Sequence, residues 1–257
     1  METKKTGLNS NQIKLIAIIA MTIDHLVWTI FPGTQHIWYV YALHIIGRLT
    51  APIMWFFIAE GCYYTHDRKK YITRLFILAV ISHFAYDFAF GIPFVPLSTG
   101  IFNQTSVIWS LAWAVVIVAL HDSGKVSTPV EIILTVIISL IAFPSDWSSI
   151  AAMCPFYLYL HRGNFKAQAR DIVLWSAIYA SVYFLFLDKP YGILQMFTFL
   201  TIPILAKYNG KRGEWKGMKW LFYFYYPVHL FVIGIVRILL HGNISTIYLS
   251  AELNSNL

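Results

Sequence analysis

Ionisable residues interrupt four long apolar segments of this chain. Placing a charge or an unpaired imidazole in the hydrocarbon interior of a membrane costs a few kcal/mol. Helices keep such side chains when these face one another or a wet cavity, usually where a substrate is transported or reacts. The sequence therefore predicts that function resides in this polar layer. The residues are Asp24 and His25 in segment 13–31, His44 and Arg48 in segment 38–62, His83 and Asp87 in segment 71–91, and His229 in segment 219–240.

The composition is that of a membrane protein. Hydrophobic residues make up 58% of the chain and charged residues 12%, whereas a soluble domain has about 25% charged residues. The mean hydropathy is +0.62. The first apolar segment has no small-residue cleavage site, so we expect no cleavable signal peptide. Cys62 and Cys154 lie in different apolar segments without metal-ligand spacing, which favours free thiols over a disulfide.

Nine segments are apolar enough for helices that cross a hydrocarbon layer about 30 Å thick. We therefore predict an all-α, polytopic integral membrane protein with about nine transmembrane helices around a polar intramembrane cavity, folded as a single domain over residues 1–257. The fifth and sixth segments are short, so the turn at 144–146 joins either a tight hairpin or a partly re-entrant one. The segments are 13–31, 38–62, 71–91, 104–120, 130–143, 147–161, 171–187, 191–206 and 219–240.

The positive charges lie almost entirely on one side of the predicted membrane. With the N-terminus in the cytoplasm, Lys189 is the one basic residue between spans on the outer side. This positive-inside pattern predicts a multi-pass protein of the cell membrane with its C-terminus outside. It also accounts for the net charge of +7 without a nucleic-acid partner. The inner residues are Lys4, Lys5, Arg68, Lys69, Lys70, Lys125, Arg162, Lys166, Arg170, Lys207, Lys211, Arg212 and Lys216, with Lys14, Arg74 and Lys219 at helix ends.

By depth, the polar residues of the four interrupted segments fall in one layer in the outer half of the membrane, so we expect them to share one cavity. Adjacent residues on a helix point about 100° apart. Asp24 and His25 should therefore have different partners. We expect Asp24 to pair across a helix interface, with Arg48 as the leading partner, and His25 to face the cavity.

Basic side chains also surround the inner ends of these helices, at Lys14, Lys69, Lys70 and Arg74. One interpretation is positive-inside topology together with attraction to anionic membrane lipids. The other is a seat for a phosphorylated ligand, because Lys and Arg bind phosphate oxygens. Glu60 lies at the same end of its helix, and either pairs with a Lys or Arg there or has a functional role.

Several short motifs resemble those of the TraX family. The likeness covers most of the chain, although residues 120–215 resemble the family only in hydropathy. The combination of motifs is more specific than any one of them. The motifs are Gln12-Ile13-Lys14-Leu15, Met21-Thr22-Ile23-Asp24-His25, Gly47-Arg48 with Pro52, Tyr71 with Arg74-Leu75, Asn103, and Phe224-Tyr225-Tyr226-Pro227-Val228-His229-Leu230.

TraX is known as the enzyme that acetylates the N-terminus of F-type pilin, and its family is similar to a wider group of transmembrane acyltransferases. The resemblance implies a cytoplasmic acetyl-CoA donor, an extracytoplasmic acceptor and a histidine at the reaction centre. The acceptor stays open between a peptide N-terminus and a hydroxyl or amine of a sugar or lipid.

The polar residues then become candidates for defined roles. Imidazole titrates near neutral pH and suits a general base; His25 is the leading candidate, with His83 and His229 as alternatives. A base with oxyanion donors requires no metal. The candidate catalytic residues are Asp24, His25, Arg48, His83, Asp87, Asn103, Tyr226 and His229, among which Arg48, Asn103 and Tyr226 are oxyanion donors; the candidate acetyl-CoA-binding residues are Lys14, Arg48, Glu60, Lys69, Lys70 and Arg74.

Other functions use the same residue types. A proton-coupled or organic-anion transporter also places His, Asp and Arg at the midplane, but the chain has no internal repeat. A zinc site could be built from His25, His83, Asp87 and His229, although no motif fixes its geometry. Any of these histidines could also be a packing residue, yet a purely structural protein leaves the polar layer without a reason. Arg237, near the outer end of its segment, is expected to extend towards the surface.

Overall fold

The computed structural model describes residues 7–245. Lys4, Lys5, the side chain of Lys219 and the C-terminal tail, on which part of the charge argument rests, lie outside the described part. Within it the secondary structure is helical, apart from two isolated bridges between extended residues. The helices are α1 Ser10–Ile30, α2 Trp38–Gly47, α3 Thr50–Tyr64, α4 Arg68–Phe90, α5 Val107–Ser123, α6 Thr128–Ala142, α7 Ile150–Leu160, α8 Phe165–Phe186, α9 Lys189–Gln195, a 3-10 helix Met196–Thr201, α10 Ile202–Ala206 and α11 Met218–His241.

The helices confirm an all-α, multi-pass membrane protein. Each of the nine predicted segments contains helix. Five helical segments are long and apolar enough to cross a membrane, and α5, α6 and α7 are shorter apolar helices. The five long segments are Ser10–Ile30, Trp38–Tyr64, Arg68–Phe90, Phe165–Phe186 and Trp220–His241.

Two of the predicted spans are broken. The second ends its first part at Gly47 and resumes at Thr50. A side chain at Gly47 would occupy the space of the Asp24 carboxylate, so glycine lets α1 and α2 approach closely at the break. The eighth span consists of α9, the 3-10 helix and α10. Arg48 follows the first break and Gln195 ends α9 in the second, and both side chains are buried.

Helix caps explain why two helices start earlier than predicted. Asp67 accepts a hydrogen bond from the backbone N–H of Lys70 at 3.0 Å, and α4 therefore begins at Arg68 instead of residue 71. This bond, with the nearby lysine, holds the pKa of Asp67 below its ordinary value. Asn164 caps α8 in the same way through the N–H of Ala167. Hydropathy does not register such caps, because the capped turns are polar.

The helices α1, α3, α4 and α11 surround the centre of the bundle. α4 packs along both α11 and α5, while α1 contacts α2, α3 and α11. α6 lies at the periphery, and only Ile138 and Ala142 of its residues are buried. Its exposed Ile132, Val136 and Leu140 are apolar, as expected for a helix that faces lipid.

Arg237 does not extend to the surface, and this prediction is wrong. Its side chain is 1% exposed and donates hydrogen bonds to the carbonyls of Ala89 at 3.1 Å, Phe88 at 3.2 Å and Ile244 at 2.5 Å. α4 ends at Gly91 in the left-handed conformation, which leaves carbonyls of its last turn without helical partners. A cation at a helix C-terminus is also favoured by the helix dipole. Arg237 therefore joins the ends of α4 and α11.

We predict that Arg237→Met destabilises the protein, because carbonyls at the end of α4 lose their donors. An unsatisfied buried polar group costs about 1–3 kcal/mol. The thermal midpoint of the detergent-solubilised protein, followed by size-exclusion chromatography after heating, should fall by several degrees. Lys125→Met, at an exposed loop position, is the matched control. Equal midpoints for the two variants would contradict the capping role.

Candidate functional site

Two cavities lie end to end in the bundle. The first, here the basic cavity, has a volume of about 590 Å³ and lies where α1, α4 and α11 begin and α3 ends. Its charged lining residues are Lys14, Glu60, Arg74 and Arg212. The second, here the histidine cavity, has a volume of about 270 Å³. Its lining includes Asp24, His25, Arg48, Asn103 and Asp146 among the rings of Trp28, Tyr86, Phe90, Phe102, Trp147, Tyr179, Tyr183 and Tyr226.

Three side chains separate the cavities. Met21 of α1, Met54 of α3 and Tyr226 of α11 line both. Each is less than a tenth exposed. We call this set the partition. A molecule bound in the basic cavity could contact the histidine cavity only at this set of side chains, as far as the described residues show.

His25 is held by a second histidine. Its Nδ1 lies 2.8 Å from Nε2 of His229, and Nδ1 of His229 lies 3.0 Å from the carbonyl oxygen of Tyr225. A carbonyl oxygen only accepts, so Nδ1 of His229 carries a proton and its Nε2 accepts from His25. Nδ1–H of His25 is then the donor, and the lone pair of His25 is on Nε2. The hydrogen bonds thus fix His25 in the tautomer of a base.

Aromatic rings enclose this histidine pair. The two imidazoles lie parallel, with centroids 5.1 Å apart, and Phe90 packs edge-on against His25 at 5.9 Å. Tyr225 stacks on the other side of His229 at 5.1 Å. His25 and His229 are 8% and 6% exposed. A histidine whose tautomer and orientation are set by a second group is an arrangement that can serve general-base catalysis.

The predicted pairing of Asp24 with Arg48 is confirmed. Nη2 of Arg48 donates to both carboxylate oxygens of Asp24, at 2.8 and 2.6 Å. Nδ1 of His44 donates to the same carboxylate at 2.8 Å. His25 bonds to His229 instead, so Asp24 and His25 do have different partners.

Arg48 is held at all of its nitrogens. Nη1 donates to Oε1 of Gln195 at 2.7 Å, and Nε contacts the carbonyl of His44 at 3.3 Å. The guanidinium also lies over the ring of Trp147, 5.3 Å from its centroid. Because these contacts fix the group at the edge of the histidine cavity, its clearest role is structural. Its part in oxyanion stabilisation remains a prediction.

The histidine cavity is not lined by His44, His83, Asp87 or His229, so the expectation of one cavity shared by the polar residues of all four segments is wrong for these. Nε2 of His83 donates to the carbonyl of Phe94 at 3.1 Å, and its Nδ1 lies 3.1 Å from Oγ1 of Thr105 and 3.3 Å from the Asp87 carboxylate. These contacts join α4 to the connection before α5. The residues of α4 in the cavity are instead Tyr86 and Phe90, on the neighbouring row of the helix.

Asp146 is a cavity residue that the sequence reasoning passed over as part of a turn. Its backbone N–H donates to the carbonyl of Thr105 at 2.8 Å. The next two residues, Trp147 and Ser148, adopt φ of 62° and 51°. Such left-handed conformations are costly for residues other than glycine and often mark functional positions. The sequence did contain one signal for Asp146, which is a carboxylate placed between two short apolar segments.

Asn103 and Tyr226, the other two candidate oxyanion donors, line the histidine cavity. Asn103 has φ of 52°, a left-handed conformation that asparagine tolerates better than most residues. Tyr226 is 3% exposed and contributes to the partition. Their side chains therefore supply an amide and a hydroxyl, both of which can donate hydrogen bonds.

The basic cavity contains only part of the predicted rim. Lys14 and Arg74 line it. Arg212, which the sequence assigned to the inner side but not to this rim, lines it as well and lies in the connection before α11. Lys69 and Lys70 do not line it; Lys70 instead forms an ion pair with Asp67 at 3.2 Å and is mostly exposed.

Glu60 does pair with an arginine, but from an unexpected part of the chain. Nε of Arg162 lies 2.7 Å from its carboxylate. Arg162 follows α7, and its guanidinium also lies over the rings of Tyr63 and Tyr64. The basic run at the start of α4 is therefore not the partner of Glu60.

The zinc alternative finds no geometric support in residues 7–245. No group of three His, Cys, Asp or Glu side chains there is arranged to hold a metal ion. Nδ1 of His25 and Nε2 of His229 are hydrogen-bonded to each other, so neither of these two nitrogens is available as a metal ligand.

Comparisons with known proteins point to one family. A family model described as "TraX protein" matches residues 9–237. The chain is 30% identical over 240 residues to the "Probable fimbrial assembly protein FimC, serogroup H1" of Dichelobacter nodosus, and the alignment covers 89% of this chain and 95% of that protein. No solved structure matches the chain significantly.

We predict that Arg48→Gln is strongly destabilising and that Asp24→Asn/Arg48→Gln recovers part of the loss. The single variant leaves a buried carboxylate without its cation, which typically costs about 3–5 kcal/mol. The double variant removes both charges. Thermal midpoints of the two single variants and the double variant form the measurement. A double variant less stable than both single variants would show that the two charges do not stabilise each other.

Proposed function

The chain belongs to the TraX family, and from this premise we propose that it is a membrane-embedded acetyltransferase that uses acetyl-CoA. The acetyl group moves from a cytoplasmic donor to an acceptor on the outer side of the membrane. The observation that carries the proposal is His25, which is hydrogen-bonded to His229 and lines a cavity that adjoins a second, basic cavity. The orientation rests on the distribution of basic residues, with the N-terminus inside.

The basic cavity suits the donor. Coenzyme A carries anionic phosphates, and Lys14, Arg74 and Arg212 supply positive charge around the cavity. Ligand sites typically have volumes of about 300–1,000 Å³, and the basic cavity falls in this range at about 590 Å³. The thioester end of the bound donor would lie against the partition.

The chemistry follows from the tautomer of His25. The acceptor's nitrogen or oxygen attacks the thioester carbon while Nε2 of His25 takes its proton. The tetrahedral intermediate carries an oxyanion, for which Asn103 and Tyr226 offer donors on the cavity lining. The carbon–sulfur bond then breaks, and the proton on His25 passes to the departing thiolate. The products are the acetylated acceptor and free coenzyme A.

The charge of the histidine cavity favours an amine among the possible acceptors. The charges of Asp24 and Arg48 offset each other. Asp146 forms no ion pair with a described residue, so its side chain is available to pair with a cation that enters the cavity. Aromatic faces also attract cations. An acceptor amine, which binds as ammonium, is therefore a better guest than a neutral hydroxyl. It first releases one proton to water, and Nε2 of His25 takes the second as the neutral nitrogen attacks. The amino terminus of a pilus subunit is consistent with the name of the FimC relative.

We predict that His25→Ala lowers the rate of acetyl transfer by about 10²–10⁴-fold, the usual contribution of a positioned base. Membrane vesicles that contain the protein and its native acceptors would receive acetyl-CoA labelled in the acetyl group, and membrane-bound label would be counted. Binding of acetyl-CoA to the purified variant should persist. His36→Ala, at an exposed histidine paired with Asp188, is the control.

Two results would count against the assignment. A His25→Ala rate close to wild type would transfer the role of base to another residue. Uptake of labelled acetyl-CoA into sealed vesicles, with no covalent label on any acceptor, would instead favour the transporter interpretation.

We predict that Arg74→Gln and Arg212→Gln raise KM for acetyl-CoA and leave kcat nearly unchanged. Contacts to the phosphates are the same in the ground state and in the transition state, so they contribute uniform binding. Lys70→Gln is the matched control, because Lys70 lies outside the cavity. Oriented vesicles should be active only with donor on the side of the N-terminus. A larger KM effect from Lys70→Gln than from Arg74→Gln would refute this placement.

A further inference from the structure

A row of side chains on α1 runs from the basic cavity to the base. Lys14, Ile18, Met21 and His25 are spaced by four, three and four residues, so they share one face of the helix. Lys14 and Ile18 line the basic cavity, Met21 belongs to the partition, and His25 lines the histidine cavity. At 1.5 Å per residue, Lys14 and His25 are about 16 Å apart along the helix axis.

Met21, the residue of this row that belongs to the partition, lies about one helical turn before His25. Met54 and Tyr226 approach from α3 and α11, so three helices contribute to the narrowing between the cavities. Two of the three side chains are methionines, which are unbranched and flexible and adapt to the shape of a neighbour. They are 6% and 8% exposed, with the hydrophobic core around them. Space at this level is therefore limited by side chains and not by backbone.

We propose that Met21 and Met54 determine which acyl groups the protein transfers, by limiting the space beside the thioester to an acetyl group. The inference rests on the proposed function. A thioester that reaches His25 from the basic cavity has its sulfur at the partition and its acyl chain against the two methionines. Each methylene beyond acetyl has to displace a methionine or occupy part of the histidine cavity, whose volume of about 270 Å³ must also hold the reacting end of the acceptor.

The size of the effect follows from the chemistry of hydrophobic pockets. One methylene too many or too few changes kcat/KM by about 10–200-fold. Butyryl-CoA has two more methylenes than acetyl-CoA, so the wild-type protein should prefer acetyl-CoA by at least tenfold. Replacement of either methionine by alanine removes three side-chain atoms beyond Cβ, which is enough space for those two methylenes.

The test compares donors in the same protein. Membrane vesicles with native acceptors receive acetyl-CoA or butyryl-CoA, each labelled in the acyl group, and kcat/KM is obtained from membrane-bound label. Met21→Ala and Met54→Ala should each lower the acetyl-to-butyryl ratio at least tenfold, mainly by raising butyryl transfer. Met153→Ala is the control, because this methionine of α7 lines neither cavity.

A variant that adds volume at the partition, instead of removing it, tests the same inference if an alanine variant does not fold. Met54→Phe fills the partition, so it should reduce transfer of both donors while acetyl-CoA still binds to the purified protein. If wild type transfers acetyl groups but the ratio stays unchanged in Met21→Ala and Met54→Ala, the inference is overturned and the proposed function stands. If wild type transfers neither acyl group, both fail together.

Discussion

A carboxylate inside a membrane has to be compensated, and in this protein Arg48 compensates Asp24. The ion pair joins α1 to the break between α2 and α3. Gln195, from the second broken span, binds another nitrogen of the same guanidinium, and His44 binds the same carboxylate. Irregular backbone is tolerated at membrane depth only where protein or a polar cavity satisfies it. Both irregular regions therefore meet at one charge pair, which makes a cavity possible at the centre of an otherwise apolar bundle.

α1 sets the distance between the functional side chains of the two cavities. It supplies Lys14 to one cavity and His25 to the other, and the distance between them is fixed by helix geometry. α11 adds Tyr226 to the lining of the histidine cavity and His229 as the hydrogen-bond partner of His25. Because these groups lie on continuous helices, their spacing does not depend on the conformation of a loop. The connection that carries Asp146 is instead anchored by hydrogen bonds to the residues before α5.

The sequence predicted the parts of the site that follow from local patterns. Hydropathy located the helical segments, and the 100° step between neighbours on a helix correctly gave Asp24 and His25 different partners. The sequence could not show which face of α4 points inwards, because that depends on how α4 packs against α5 and α11. His83 was therefore wrongly placed in the cavity. Asp146 was missed because left-handed backbone, and not periodicity, directs its turn. Arg237 was misread because its partners are carbonyls exposed only once α4 ends at a glycine.

The hydrogen bond from His229 to the carbonyl of Tyr225 has a consequence for energy coupling. Its Nδ1 proton is committed to an oxygen of helical backbone, which cannot accept a proton and pass it on. The histidine pair is therefore closed at one end. A proton that arrives on His25 has to leave by the side on which it came, and the pair provides no conduit through the bilayer. For the proposed acetyl transfer, the pair itself thus supplies no route by which a proton gradient could drive turnover.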